Sequence, residues 1–235
     1  MKLTKRLSVI ASYIPAGSIV ADIGTDHAYL PVYLVLEGIA PEAIATDIHN
    51  APFQSALKTV EGHCLLNKIS VRLGNGLEVL RPGEADVIVV AGIGGRNMEE
   101  VFEKAPEVLR QTKRLVLQPM TAVDIVRQWL WDHNWQIVDE DLLKEDEKFY
   151  QVLVAEPGKD LYKGDPEFGI NLIKKGHPLM GELLQKREIQ YVQALKGIKK
   201  QAKTENKEKE QQVEAKLMMI QRVKEQWLNA QKSIK

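Results

Sequence analysis

One cysteine, Cys64, stands in the whole chain, which rules out an internal disulfide and every zinc site built on several thiolates. Among apolar helical neighbours a lone thiol reads as a small buried residue, and such sparing use of cysteine fits a reducing compartment. Long apolar runs are also absent. No stretch approaches the roughly 20 residues a bilayer-crossing helix needs, and the start, M-K-L-T-K-R-L-S-V-I-A-S-Y-I-P, lacks the continuous apolar region and cleavage site of a secretory signal. The expected location is the cytoplasm, with no membrane partner. His27, His49, His63, His133 and His177 lack ligand spacing, so no metal is expected. No G-x-x-x-x-G-K-[ST] phosphate loop, no Ser or Cys nucleophile with a neighbouring base, and no RRM, KH or zinc-finger pattern appears. Aspartate is missing from residues 171–235, which hold 15 Lys plus Arg against 7 Glu, a balance of +8 set against −8 in the rest of a neutral chain. Such separation points to a polyanionic partner for the C-terminal part, although a solvated pair of charged helices gives the same counts.

What is present is an alternation. Leu3, Leu7, Ile10 and Ile14 fall at helical spacing before Pro15, giving a short amphipathic helix within residues 2–14. Strand patterns follow at 19–23, 43–48, 69–73, 86–91 and 114–117, separated by helix patterns at 28–37, 52–66, 95–104 and 121–133. Two last strands, 136–142 and 150–155, flank the polar turn E-D-E-K. The almost wholly apolar D-V-I-V-V-A strand belongs in the middle of a parallel sheet covered on both faces. Strands interleaved with helices and closed by a hairpin predict an α/β fold, a Rossmann-like, mostly parallel doubly wound sheet with an antiparallel edge hairpin, over residues 1–158. Residues 159–177 are rich in Gly, Pro, Asp and Lys and read as a linker. Over 178–235, Met180, Leu184, Tyr191 and Ile198 form one seam, interrupted by Arg187 and Ala194. Val213, Leu217, Ile220, Trp227 and Ile234 form a second, interrupted by Lys224 and Gln231. With the apolar-free turn K-T-E-N-K-E-K-E between them, they predict a C-terminal antiparallel coiled-coil helical hairpin.

The stretch I-V-A-D-I-G-T-D-H-A-Y-L, residues 19–30, places a carboxylate, a tight turn and a helix start at the C-terminal edge of the sheet, where nucleotide-like cofactors sit. Thr25, Asp26 and His27 follow Gly24 in place of further glycines, and two acids there repel a pyrophosphate and suit a cation. S-adenosylmethionine, carrying an ammonium and a sulfonium, fits such a turn better than NAD or ATP. Asp22 and Gly24 are the candidates for its methionyl portion, the glycine because a side chain would block close backbone approach. Asp47, ending the second strand, suits either ribose hydroxyls or a helix cap. In Gly74-Asn75-Gly76 the Asn75 amide meets an adenine edge or simply makes a turn. Gly92, Gly94 and Gly95 mark close backbone approach, to the methyl donor and target or to the next helix. Gln118 and Pro119 end the fifth strand and offer amide hydrogen bonds. Asp26, His27 and Tyr29, together with Gly24, form a candidate wall of an acceptor pocket. In the tail, Lys196, Lys199, Lys200 and Lys203 recur at helical spacing, with Lys174, Lys175, Lys186 and Arg187 before them, a pattern that tracks phosphates without reading sequence.

D-I-G-T-D-H-A-Y-L-P, G-N-G-L-E-V, A-G-I-G-G after V-I-V-V, L-Q-P and Y-Q-V-L-V-A-E, in that order, resemble the bacterial tRNA (adenine(22)-N1)-methyltransferases over about residues 3–156. The helical tail is similar in kind rather than residue by residue. The resemblance implies a class I methyltransferase domain, S-adenosylmethionine as donor, and N1 of an adenine in the tRNA D-arm region as acceptor. Carried over by match, Asp22, Gly24, Asp26, His27, Asp47, Asn75, Gly76 and the turn 92–95 line the cofactor site. Asn75 stands where the family pattern has Asp, and Met120 where it has a polar residue. Adenine N1 already has a lone pair, so transfer asks for in-line approach and a site that tolerates positive charge moving onto the base. Asp26 is the candidate carboxylate, with His27 or Tyr29 orienting the base. Because N1 lies on the Watson–Crick edge, a paired target must be exposed first. A monomer is the expected working unit. Two other readings stay open: a methyltransferase with a small-molecule acceptor and a dimerising hairpin, and a non-catalytic RNA-binding protein with a Rossmann scaffold.

Overall fold

The computed structural model describes residues 1–200 and 207–234, which divide into two compact units, Met1–Glu167 and Phe168 onward. That boundary falls inside the residues read as linker. The first unit runs α1 (Lys5–Ser12), β1 (Val20–Ile23), α2 (Tyr29–Leu36), β2 (Ala43–Asp47), α3 (Asn50–Gly62), β3 (Ile69–Leu73), a short 3-10 turn (Gly76–Val79), β4 (Val87–Ala91), α4 (Gly95–Glu103), α5 (Pro106–Arg110), β5 (Arg114–Gln118), α6 (Val123–Asp132), β6 (Trp135–Glu145) and β7 (Lys148–Pro157).

The strands form one sheet in the order β3-β2-β1-β4-β5-β7-β6, parallel from β3 to β5 and antiparallel at β7 and β6. Alternation along each strand decides which core a side chain joins. Ala21, Ile23, Ile88, Val90, Leu115 and Leu117 face the core made with α4, α5 and α6. Val20, Val87, Val89 and Val116 face the opposite side, against Leu3, Ile10, Ala11 and Ile14 around α1 and Leu30 and Leu34 of α2. Both faces of β1 and β4 are therefore covered, which is why these strands are continuously apolar apart from Asp22. Strand order reverses between β1 and β4, and their C-terminal ends make the switch-point crevice of a doubly wound sheet.

The expected turn between the last two strands is present, with Asp146 and Glu147 both at positive φ, 48° and 59°, a backbone twist that lets β6 and β7 pair well beyond the lengths expected from their patterns. Two sequence expectations need correction. The third helix begins at Asn50 and stops at Gly62, short of residue 66. Cys64 then lies past the helix end at φ 57° and is exposed, while Leu65 turns inward in its place. A further helix, α5, was hidden in the sequence because five residues are too few to show a period.

In the second unit, α7 (Ile170–Lys174) lies within the stretch read as linker, followed by α8 (Met180–Lys200) and α9 (Lys207–Ile234). Contacts of Lys199 with Glu214, Glu188 with Gln221, and Gly181 with Trp227 run in opposite senses along α8 and α9, so the pair is an antiparallel helical hairpin. A Cβ on Gly181 would lie 2.7 Å from the Trp227 ring, so glycine there is what admits the indole. The second seam does not break at Lys224: Val223 is buried beside Ile220, and the three-residue step to 223 carries the seam on to Trp227. Residues 207–210, read as the end of the turn, are helical, and 203–206 lie outside the described residues.

Candidate active site

Five parallel strands deliver the chosen residues to one edge. Asp22, one residue before the end of β1, is buried, and its carboxylate accepts a hydrogen bond from Thr25 Oγ1 at 2.6 Å. Burial pushes its pKa up to about 6, against the lowering effects of the Thr25 hydroxyl and the Arg6 charge, while nearby Asp47 adds to the rise. An acid held this way is poised to gain from a cation. The turn that follows is tightly specified. Gly24 N and Thr25 N both donate to Thr46 O at 2.9 Å, and Gly24, Asp26 and Ala28 take positive φ of 73°, 55° and 54°. For Asp26 and Ala28 that conformation is strained, the kind of backbone found where a loop must present itself to a ligand. Nothing lies within 4 Å of where a Gly24 side chain would start, so the space above this glycine is open.

Asp47 ends β2 almost buried. Its Oδ2 accepts from Asp26 N at 3.2 Å and its Oδ1 from His49 N at 2.9 Å, joining the turns after β1 and β2 and leaving each oxygen a further lone pair. Asp26 is exposed and His27 half-buried, with 3.6 Å between His27 Nε2 and Asp26 Oδ2, and the His27 ring stacks on Tyr29 at 5.2 Å. Acid, imidazole and phenol thus form one rim. Asn75 donates from its side-chain amide to Glu78 of the 3-10 turn. Gly76, at φ 54°, lies where a Cβ would meet Val101 at 3.0 Å. Exposed Tyr29, Ile48, Leu73 and Met120 line the same edge, apolar surfaces of the sort that flank a planar ligand.

The turn after β4 divides. Gly92, at φ 85°, faces the crevice, with Arg6 Nη1 3.3 Å from where its Cβ would be. Gly95 is buried against the next loop: its Cβ would lie 2.2 Å from Ala122 O, and Gly94 has Thr121 Oγ1 at 3.2 Å. Of the two meanings a glycine cluster has, Gly92 fits approach to a ligand, whereas Gly95 is required by packing. Gln118 is fully buried. Its Oε1 accepts from Arg6 at 2.6 Å and its Nε2 donates to Pro119 O at 3.0 Å, so it faces Arg6 and its own chain rather than open solvent. Sequence reasoning missed Arg6, and no local signal marks it, because its partner is 112 positions away.

In the second unit, Lys174, Lys175, Lys196 and Lys200 are exposed. Lys199 Nζ sits 3.1 Å from Glu210 and 3.3 Å from Glu214, held within the hairpin. Lys203 lies outside the described residues. Among the described residues, no group of three His, Cys, Asp or Glu is arranged to hold a metal, and no helix is long and apolar enough to cross a membrane.

A protein-family model described as a methyltransferase domain matches residues 3–153. The tRNA (adenine(22)-N(1))-methyltransferase of Bacillus subtilis (strain 168) is 48% identical over 158 residues, which span 67% of this chain and 66% of that relative. The crystal structure of the B. subtilis m1A22 tRNA methyltransferase TrmK superposes with a TM-score of 0.89 at 37% identity, covering 94% of this chain and 98% of that one. A Streptococcus pneumoniae protein solved in complex with S-adenosyl-L-methionine superposes with a TM-score of 0.86 at 39% identity, over 94% and 99% of the two chains. On sequence and fold together, the chain belongs to the bacterial tRNA (adenine(22)-N1)-methyltransferase family.

Proposed function

We infer that this chain transfers a methyl group from S-adenosylmethionine to N1 of the adenine at position 22, in the D-arm region of tRNA. The reading rests above all on Asp22, a buried acid beside open Gly24 at the switch point of the sheet. The residues fit the donor: an acid for its ammonium, a second acid for its ribose, and no run of glycines or basic residues of the kind a pyrophosphate needs. In this reading Asp22 receives the ammonium, Gly24 lets the backbone approach the methionyl chain, and Asp47 accepts from the ribose hydroxyls. Asn75 turns its carbonyl oxygen to the adenine, with Gly76 keeping that turn open and Gly92 flooring the crevice. Gly94 and Gly95 serve by holding the 92–95 turn against the loop at Thr121. When bound, the donor supplies a methyl carbon activated by positive sulfur.

The chain's own part in the chemistry is electrostatic and positional. Asp26 offsets the positive charge that arrives on the base, or takes a proton from N6, while His27 and Tyr29 present a stacked face that orients the ring. Pro119 borders the acceptor, and Gln118 acts from behind it. Lys174, Lys175, Lys196 and Lys200, with Lys203, hold tRNA phosphates, consistent with the charge separation along the chain. The working unit is a monomer in the cytoplasm. The test is methyl transfer to unmodified tRNA transcripts read by reverse transcription, since a methyl on N1 blocks pairing. A donor-dependent stop at position 22 is expected. Its absence, with cofactor bound, refutes the acceptor. Asp26→Asn is expected to keep cofactor affinity and lower turnover; unchanged turnover would remove Asp26 from the mechanism.

A further inference from the structure

Alternation along the sheet puts Asp22, two residues after Val20, and Gln118, two after Val116, on the face covered by α1. Tyr150 packs against the same face from β7. Into this row α1 inserts one charged side chain. Arg6 Nη1 donates to the buried Gln118 at 2.6 Å, its guanidinium lies 5.9 Å from the Tyr150 ring centroid, and Gly92 leaves it room at 3.3 Å. The N-terminal helix thus delivers a cation to the C-terminal ends of β4 and β5, on the face that also carries the buried acid Asp22.

We propose that Arg6 is a positioning residue for methyl transfer, acting through Asp22, which it keeps ionised for the donor's ammonium, and through Gln118, which it fixes at the edge of β5. The proposal rests on the assignment of Asp22 to that ammonium. The charged and titratable groups around Asp22 are Arg6 on α1, Asp47 on β2, Asp26 and His27 on the turn that follows it, and Tyr150 on β7 against Arg6. Of these, Arg6 favours the carboxylate and Asp47 opposes it. Burial holds Asp22 up at about 6 even with the Thr25 hydroxyl and the Arg6 guanidinium lowering it, so loss of the guanidinium carries the acid further toward protonation at neutral pH. A lysine keeps the charge but lacks the planar fork that reaches Gln118 while stacking on Tyr150.

The experiment is calorimetric titration of S-adenosylmethionine into the full-length protein across a pH series, for the wild type, Arg6→Met, Arg6→Lys and Asp22→Asn. Arg6→Met is expected to move the inflexion of affinity against pH upward by about one pH unit or more, so that binding near pH 6.5 is roughly threefold to tenfold weaker and the gap closes in alkaline solution. Arg6→Lys should restore the wild-type inflexion. A merely structural arginine would lower affinity at every pH without moving the inflexion, and that result overturns the proposal. Should the methionine variant not fold, Arg6→Gln, neutral and of similar reach, makes the same comparison. Asp22→Asn isolates the premise: wild-type affinity in that variant removes the assignment of Asp22 itself, whatever Arg6 does.

Discussion

Arg127 of α6 and Glu140 of β6 form an ion pair, Nη2 to Oε1 at 2.6 Å, with both side chains shut off from solvent. The guanidinium also donates to Gln151 Oε1 and Pro166 O at 2.6 Å, and Gln151 donates to Glu167 O at 3.3 Å, so one arginine ties α6 and the edge hairpin to the segment at residues 166–167. Removing one partner leaves a charge buried without its counterion. Glu140→Gln is expected to cost about 3–5 kcal/mol, seen in urea unfolding as a lower midpoint at unchanged slope. A loss under about 1 kcal/mol would show that the pair contributes little.

Asp22 opposes stability in the absence of cofactor. Its pKa is raised to about 6 in the folded chain against 3.8 for a freely exposed aspartate, so between those values the folded state holds a proton that the unfolded state has released. Stability from this group is fullest below about pH 4, declines as pH rises through about 6, and the deficit at neutral pH is about 3 kcal/mol. Asp22→Asn should therefore raise the melting temperature of the cofactor-free protein at pH 7 while weakening S-adenosylmethionine binding. A variant that loses both binding and stability would contradict the burial cost.

Glu84 carries the opposite sign. Paired with Arg72, it is held down to about 2, so its contribution is present above the ordinary carboxylate range and disappears as acid titrates it through about 2. Arg72→Met should lower stability at neutral pH, flatten its decline between about pH 4.5 and 2, and leave cofactor affinity unchanged, measured by circular dichroism and calorimetry.

Two glycines in the active-site turns should fail in different ways. Gly95→Ala drives a Cβ to within 2.2 Å of Ala122 O, where backbone must move, and should cost about 1–3 kcal/mol of stability. Gly24→Ala meets nothing but must hold φ near 73°, a strain of about 1–2 kcal/mol, and should lose cofactor affinity out of proportion to stability. Equal effects on both readouts would erase the distinction drawn between a packing glycine and a binding one.

Among the basic residues of the tail, Lys199 should matter least. It is exposed, as Lys174, Lys196 and Lys200 are, but Glu210 and Glu214 already pair with it. Replacing those three with Gln should weaken tRNA binding and reduce the slope of log affinity against log salt by roughly 2–3, with Lys199→Gln close to wild type in a filter-binding series. A salt slope unchanged by the triple substitution would move the RNA contact elsewhere.

The order of strands and helices, the edge hairpin and its turn, and the positions of Asp22, Gly24 and Asp47 were legible because each depends on neighbours within a few residues: an apolar run, an acid at its end, a glycine where the chain must turn. Helix ends and the seam of α9 were read less well. The stop at Gly62 and the step through Val223 depend on which face meets a partner, and a repeat written along one chain leaves that choice open.

The sequence by itself determined the doubly wound sheet, the C-terminal helix pair and the sheet edge that gathers the candidate site residues, since alternation and helical period are local properties of the chain. Only the tertiary structure decided that Gly95 serves Ala122, that Gln118 faces Arg6, that Lys199 is held by two glutamates, and that Arg127 and Glu140 are buried together. Each of these pairs residues distant in sequence or chosen by packing. A charge or an amide acquires its role from what surrounds it after the chain has closed, and no spacing along the sequence records that surrounding.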